Sequence, residues 1–125
     1  MAKKRILIVD DETSITRTMK VNLEHTGAYT VRTENQAAHA LVAAHEFEPD
    51  LILLDVMMPD MDGGEVAAGI RADPALQRVP IVFLTALVDR KETGGQYLDS
   101  GGQTFVAKPA HLDSLIQCIE ANTRP

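Results

Sequence analysis

The sequence predicts an α/β fold in which helices cover both faces of a parallel sheet. Three observations support this class. Short aliphatic runs alternate along the chain with segments whose apolar residues have helical spacing, as in βαβ units. The run 51–54 is aliphatic at every position, as in a strand covered on both faces. The 125 residues are enough for one domain with one core, and no linker or repeat interrupts residues 1–125.

Five aliphatic runs predict the strands of this sheet. Each is rich in Ile, Leu, Val, Phe or Thr and has the length of an ordinary strand. They are RILIV (5–9), YTVRT (29–33), LILLD (51–55), PIVFLT (80–85) and QTFVA (103–107).

The segments after the strands predict five helices, lying on both faces of the sheet. Four of them carry apolar residues three or four positions apart. These stripes are Ile15, Met19 and Leu23; Ala38, Leu41, Val42 and His45; Val66 and Ile70; and Leu112, Leu115, Ile116 and Ile119. The fourth predicted helix, over residues 89–99, is the weakest, because Gly94 and Gly95 in its interior each cost about 1 kcal/mol relative to Ala.

The composition excludes several functional classes. The net charge of −6 argues against direct binding to nucleic acid, which needs a basic face. The longest apolar region, residues 80–88, is well short of the ~20 residues needed to cross a bilayer, and no targeting segment is recognisable. Cys118 is the only cysteine, which excludes an intrachain disulfide and a cysteine zinc site. These features predict a protein of the reducing cytoplasm.

Polar side chains stand where the predicted strands end. The first strand runs into Asp10 and Asp11, the third ends at Asp55, the fourth at Thr85 and the fifth at Lys108. In open parallel sheets ligands bind outside the carboxyl ends of the strands. If the first, third, fourth and fifth strands are neighbours, these side chains meet in one crevice.

The charge of this crevice favours a divalent cation. Two bare carboxylates about 4 Å apart repel by about 4 kcal/mol at an effective dielectric of about 20, so three acids and one lysine are not balanced by themselves. Oxygen ligands suit Mg²⁺ or Mn²⁺ better than zinc. A metal held by carboxylates beside a lysine is suited to binding a phosphoryl group.

Helix capping is the structural alternative for some of these acids. Asp11 or Thr13 could cap the first helix, and Asp62 could cap the third, with Glu65 three residues later. Three acids at two strand ends exceed what capping requires.

Other phosphate and metal motifs fail at particular positions. A calcium loop read from Asp60, Asp62 and Gly63 would begin at Met58 and end at Gly69, neither of which is an acid. No G-x-x-x-x-G-K-[ST] sequence occurs, and the turn after the first strand is acidic rather than glycine-rich.

Four motifs, in this order and spacing, resemble the receiver domain of two-component response regulators. They are ILIVDDE, LILLDVMMPDMDGGE, VPIVFLTA and FVAKP. The resemblance runs from about Lys4 to Asn122, nearly the whole chain. It implies a doubly wound sheet with the flavodoxin-like strand order 2-1-3-4-5.

The resemblance also implies the chemistry of the crevice. Asp55 would be the phosphoacceptor that attacks the phosphohistidine of a sensor histidine kinase or a histidine phosphotransfer protein. Asp10 and Asp11 would hold Mg²⁺ together with Asp55 and the backbone carbonyl of Met57. Lys108 would contact the phosphoryl oxygens.

Two further residues would carry the signal away from the site. The resemblance implies that Thr85 donates its hydroxyl to the phosphoryl group, and that Phe105 occupies the aromatic switch position. The responding surface would consist of the fourth helix, the fifth strand and the fifth helix, and a homodimer could form through it.

Two rival interpretations remain. One is a small metal-dependent phosphohydrolase that uses Asp55 as its nucleophile; the other is a degenerate receiver that only binds partners. The receiver interpretation predicts a phosphoacceptor rather than an enzyme, as either a stand-alone regulator or part of a longer protein.

Overall fold

A computed structural model of the chain describes residues 2–59, 61–86, 103–108 and 111–123, and the backbone of residues 98–100. The elements are β1 (Lys4–Val9), α1 (Thr13–His25), β2 (Tyr29–Glu34), a 3₁₀ turn (Ala37–His39), α2 (Ala40–Phe47), β3 (Leu51–Asp55), α3 (Gly63–Ala72), β4 (Ile81–Thr85), β5 (Leu98–Ser100), β6 (Gln103–Ala107) and α4 (Leu112–Asn122). All five predicted strands are confirmed to within one residue at each end.

The strands form one sheet in the order β2-β1-β3-β4-β6-β5. The first five in this order are parallel to one another. Counted along the chain, these parallel strands have the predicted order 2-1-3-4-5. β5 is an additional edge strand that runs antiparallel to β6.

The fourth predicted helix is the part of the fold that differs from expectation. The described residues contain four α-helices, one fewer than predicted. Residues 89–97 of that helix lie outside the described residues, and Leu98 and Asp99, at its expected end, belong to β5.

The sheet separates two cores, and β3 contributes to both. Ile52 and Leu54 lie in the core beneath α2 and α3, whereas Leu51 and Leu53 lie in the core beneath α1 and α4. All four side chains are fully buried. This burial explains the uninterrupted aliphatic run and confirms helices on both faces.

The helix α2 is present as predicted, but the apolar stripe that indicated it is not its buried face. Leu41 and Val42 are 40% and 58% exposed, whereas Ala40, Ala43 and Ala44 are buried against the sheet. Small side chains let a helix backbone approach the strands closely, so the alanines pack inward and the larger residues remain outside.

No helix among the described residues is long and apolar enough to cross a bilayer.

Candidate functional site

Three carboxylates meet where strand order reverses, between β1 and β3. Asp10 follows β1 directly and Asp55 is the last residue of β3. One carboxylate oxygen each from Asp10, Asp11 and Asp55 lie within 4.8 Å of one another. Asp10 is fully buried and Asp55 is 4% exposed, whereas Asp11 is exposed. The parallel topology brings these acids together because it places the strands' carboxyl ends at one edge.

Three of the four polar atoms of Asp10 form hydrogen bonds. Its N–H donates to the Glu34 carbonyl at 3.1 Å. Its carbonyl accepts from Asn35 Nδ2 at 2.8 Å, and its Oδ1 accepts from the Glu12 N–H at 3.0 Å. No donor of the described residues makes a hydrogen bond to its buried Oδ2, although that atom lies 3.0 Å from Lys108 Nζ.

Lys108 brings the balancing positive charge from the end of β6. Its Nζ lies 3.0 Å from Asp10 Oδ2, 3.3 Å from Asp55 Oδ1 and 3.5 Å from Glu12 Oε1. Its backbone N–H donates to the Thr85 carbonyl at 3.0 Å, which joins the ends of β6 and β4. Burial lowers the pKa of Lys108, but Asp10 and Asp55 together outweigh burial and raise that pKa above its ordinary value. The ammonium therefore stays charged.

The environment of Asp55 changes the pKa of its carboxyl. Burial, followed by the nearby charge of Asp10, raises the pKa of Asp55 to about 6. The charge and hydrogen bond of Lys108 and the backbone N–H of Met57 act in the opposite direction. One ammonium therefore does not fully compensate two buried carboxylates.

The loop after β3 is shaped by a helix cap and a close backbone contact. Asp62 caps α3, because its carboxylate accepts from the Glu65 N–H at 2.8 Å, as predicted. Gly63 donates its N–H to the Val56 carbonyl at 2.8 Å. Met57, two residues after Asp55, is 67% exposed.

Thr85 and Phe105 lie on adjacent strands beside the acids. Thr85 ends β4, is 4% exposed and is paired in register with Ala107 of β6. Phe105, two residues earlier on β6, is half-buried. Its ring stacks on that of Phe83, with centroids 5.5 Å apart and planes 28° apart.

The pocket fits a divalent cation. The donor set is entirely carboxylate oxygen, which suits Mg²⁺. The buried Asp10 Oδ2 and Asp55 Oδ1 share the single ammonium of Lys108, at 3.0 and 3.3 Å, which leaves an excess of negative charge. A cation would also relieve the repulsion between Asp10 and Asp55 that contributes to the raised pKa of Asp55.

The sequence identified most of this pocket. Asp10, Asp11, Asp55 and Lys108 come together as predicted. The capping alternative for Asp11 and Thr13 is wrong, because α1 has Glu12 at its N-cap and no side-chain cap hydrogen bond.

Sequence reasoning missed two contacts of this pocket, those of Glu12 with Lys108 and of Asn35 with Asp10. The signal for Asn35 was its place directly after the second strand, which the expected order sets beside the first.

The fold and this pocket define a doubly wound α/β protein with an acidic, lysine-containing crevice at its topological switch point. The family model described as "Response regulator receiver domain" matches residues 6–120. The chain belongs to the response regulator receiver domain family.

Proteins that are similar to this chain in sequence or in structure agree with this family assignment. The transcriptional regulatory protein KdpE of Mycobacterium tuberculosis is 36% identical over 119 residues, covering 95% of this chain and 50% of that protein. The DNA-binding response regulator MtrA of Mycolicibacterium smegmatis is 36% identical over 122 residues, covering 98% and 51%. The chemotaxis protein CheY4 of Vibrio cholerae is 28% identical with a TM-score of 0.80, covering 96% of this chain and 98% of that one.

The family establishes the general function. Receiver domains are phosphoacceptor switches of two-component systems and are generally not enzymes, so the phosphohydrolase interpretation is not favoured. The chain spans about half the length of the curated relatives it matches. MtrA, named a DNA-binding response regulator, is about twice as long as this chain.

Proposed function

We propose that the chain is a Mg²⁺-dependent phosphoacceptor whose acceptor atom is a carboxylate oxygen of Asp55. One observation carries this proposal: Asp55 is a buried strand-end carboxylate that faces both a lysine and a second buried acid. A carboxylate nucleophile gives an acyl phosphate, which is reactive enough for a reversible signal.

The transfer requires positioning more than covalent chemistry. An Asp55 oxygen attacks the phosphorus of a partner's phosphohistidine; an O–P bond forms, and the N–P bond breaks with its electron pair going to the imidazole. Lys108, 3.3 Å from Asp55 Oδ1, then contacts the transferred phosphoryl oxygens. The same chemistry would allow self-phosphorylation by small phosphodonors and self-dephosphorylation by water.

Asp10, Asp11, Asp55 and the Met57 backbone carbonyl would hold the cation. Bound Mg²⁺ supplies positive charge that offsets the charge developing on the phosphoryl oxygens. Two carboxylates support this assignment. The Oδ2 of Asp10 is buried and shielded from water, and the carboxylate of Asp11 is exposed and open to an arriving ion.

The partners that fit this chemistry are a sensor histidine kinase or a histidine phosphotransfer protein. We expect the exchange to occur in the cytoplasm. The net charge of −6 supports a protein partner rather than nucleic acid for this domain.

The signal would leave the site through Thr85 and Phe105. A phosphoryl group on Asp55 offers the Thr85 hydroxyl a new acceptor, and a shift of Thr85 opens space for the Phe105 ring. The half-buried position of Phe105 supports this route, because a partly exposed ring can change orientation more easily than a fully packed one. The proposed output and homodimer surface around β6 and α4 extends into residues 87–97, which lie outside the described residues.

This route predicts that the NMR signals of the Phe105 ring shift when beryllofluoride and Mg²⁺ are added. Thr85→Ala should still bind beryllofluoride but leave the Phe105 signals near their unliganded positions. A full Phe105 response in Thr85→Ala would exclude Thr85 from the route.

The acceptor assignment is tested by intact mass after incubation with Mg²⁺ and acetyl phosphate. Wild type should gain one phosphoryl group and Asp55→Asn none. Asp50→Asn is the matched control, because Asp50 precedes the same strand at its opposite end and accepts a hydrogen bond from the Arg5 N–H. Equal labelling of Asp55→Asn and wild type would show that the acceptor is another residue.

A further inference from the structure

We propose that Asn35 is a positioning residue for the cation site, and that it acts by fixing the peptide of Asp10. The inference rests on the proposed Mg²⁺-dependent function. Asn35 follows β2, the edge strand beside β1, and contacts the backbone carbonyl of Asp10 rather than its carboxylate.

The Asn35 amide joins two parts of the chain. Its Nδ2 donates to the Asp10 carbonyl at 2.8 Å and to Thr16 Oγ1 at 3.0 Å. Thr16 is 2% exposed and donates its own hydroxyl to the Thr13 carbonyl at 3.1 Å. One side chain therefore ties the end of β1 to the first turn of α1, and the loop between them carries Asp11 and Glu12.

The hydrogen bonds of Asp10 show why this contact matters for the pocket. Its N–H, carbonyl and Oδ1 are each occupied, so the carboxylate rotation is set and Oδ2 is directed to Lys108. Of these three hydrogen bonds, the one from Asn35 is donated by a side chain, and it can be removed without altering Asp10 itself. Partners that orient ligands commonly affect metal affinity by about 10–100-fold.

The chemistry of the donor also suits a cation site. Lys or Arg could supply an N–H to the same carbonyl, but a charged donor there would repel the incoming cation. The amide of Asn35 donates two hydrogen bonds without adding charge. A neutral donor keeps the pocket's negative charge available to the metal.

The alternative is that Asn35 only satisfies a buried carbonyl. Such a role would contribute to stability without changing cation affinity, since an unpaired buried acceptor costs free energy wherever it lies. Asn122 provides the matched control, because it is also half-buried and its Nδ2 donates to the Cys118 carbonyl at 2.8 Å, at the end of α4.

The experiment compares wild type, Asn35→Ala and Asn122→Ala by NMR titration with Mg²⁺ alone and by urea unfolding. Both variants should lose stability, but only Asn35→Ala should bind Mg²⁺ more weakly, with a Kd about tenfold higher. Phosphorylation of Asn35→Ala by acetyl phosphate should return to nearly the wild-type rate at saturating Mg²⁺, because the ligands themselves are intact. Asn35→Ser removes the same two bonds and replaces Asn35→Ala if the alanine variant folds poorly.

Three results would overturn the inference, and they are distinguishable. If wild type binds Mg²⁺ and Asn35→Ala binds it equally well, Asn35 is only structural and the proposed function stands. If wild type itself binds no Mg²⁺, the proposed cation site fails together with the role of Asn35. An equal rise of Kd in Asn122→Ala would also contradict the inference, because weakened binding would then follow from lost stability alone.

Discussion

Asp10, Asp55 and Lys108 could be found from the sequence because each stands at the end of an aliphatic run. Strand ends are visible in a hydrophobic pattern, and parallel topology brings them to one edge. Asn35 could not be assigned in the same way. Its place after the second strand is visible in the sequence, but its hydrogen bond to the Asp10 carbonyl depends on a side chain reaching from the end of β2 to the neighbouring β1.

Asp73 is an acid outside the acidic pocket whose carboxylate has two partners. It follows α3, accepts from the Ala75 N–H at 2.9 Å through Oδ1, and has Oδ2 2.6 Å from His45 Nε2. The pKa of Asp73 is lowered, chiefly by the Ala75 N–H; burial opposes this shift and His45 adds to it.

We therefore expect Asp73 to stabilise the fold in a pH-dependent way. A carboxyl whose folded pKa is depressed contributes above its unfolded pKa of about 3.9, and this contribution is lost as the pH falls through the folded pKa. Urea unfolding should show Asp73→Asn less stable than wild type at neutral pH, with the difference shrinking toward pH 3. His45→Gln should retain most of this pH dependence, because the Ala75 bond remains. A difference that does not vary with pH would contradict the assignment.

The five parallel strands could be predicted because each one is an aliphatic run. The strand β5 and the buried face of α2 could not be predicted in this way. The end predicted for the fourth helix, residues 98–99, belongs instead to β5, which pairs with β6. The apolar stripe of α2 was also misleading, since alanines rather than Leu41 and Val42 face the sheet. In α2, tertiary packing decides which apolar side chains are buried.

The edge strand β2 shows another contact that depends on tertiary structure. Glu24 Oε2 accepts from the Val31 N–H at 3.0 Å, and Lys20 Nζ donates to the Val31 carbonyl at 2.7 Å. Lys20 and Glu24, one turn apart on α1, thus occupy both backbone groups of Val31. Such contacts make a sheet edge less available to another strand.

Two of the three glycines of α3, Gly63 and Gly69, have contrasting surroundings. A Cβ on Gly63 would lie 2.4 Å from the Asp55 carbonyl oxygen and 2.9 Å from Val56 Cα, so the backbone itself would have to move. A Cβ on Gly69 would meet nothing within 4 Å. We expect Gly63→Ala to lower the free energy of unfolding by about 1–3 kcal/mol, as overpacking does. Gly69→Ala should raise it by about 0.5–1 kcal/mol, since alanine favours a helix interior.

Urea unfolding of the two variants measures this difference directly, and each serves as the control for the other. Equal stabilities of Gly63→Ala and Gly69→Ala would show that the close approach of α3 to the end of β3 does not constrain position 63.

At the scale of the whole molecule, one sheet buries two cores and gathers the reactive side chains at one edge. Apolar side chains fill both faces, so the acids and the lysine of the pocket lie at the carboxyl ends of the strands, with Asp10 and Asp55 buried and Asp11 exposed. The pattern of runs predicted the α/β class and the strand ends, whereas the strand order that brings those ends together was implied by the resemblance to receiver domains. The separation of the cores from the pocket explains how one domain can combine a rigid scaffold with a reactive crevice.

Locating the phosphoryl group on the wild-type chain tests whether Asp55 is the phosphoacceptor. After incubation with Mg²⁺ and acetyl phosphate, hydride reduction would convert a phosphorylated aspartate to homoserine, which peptide mapping then identifies. We predict one modified residue, Asp55, with the phosphoryl group retained on the chain at up to one per molecule. Modification at Asp10, Asp11 or any other residue instead, or repeated release of phosphate with no group retained, would contradict the account.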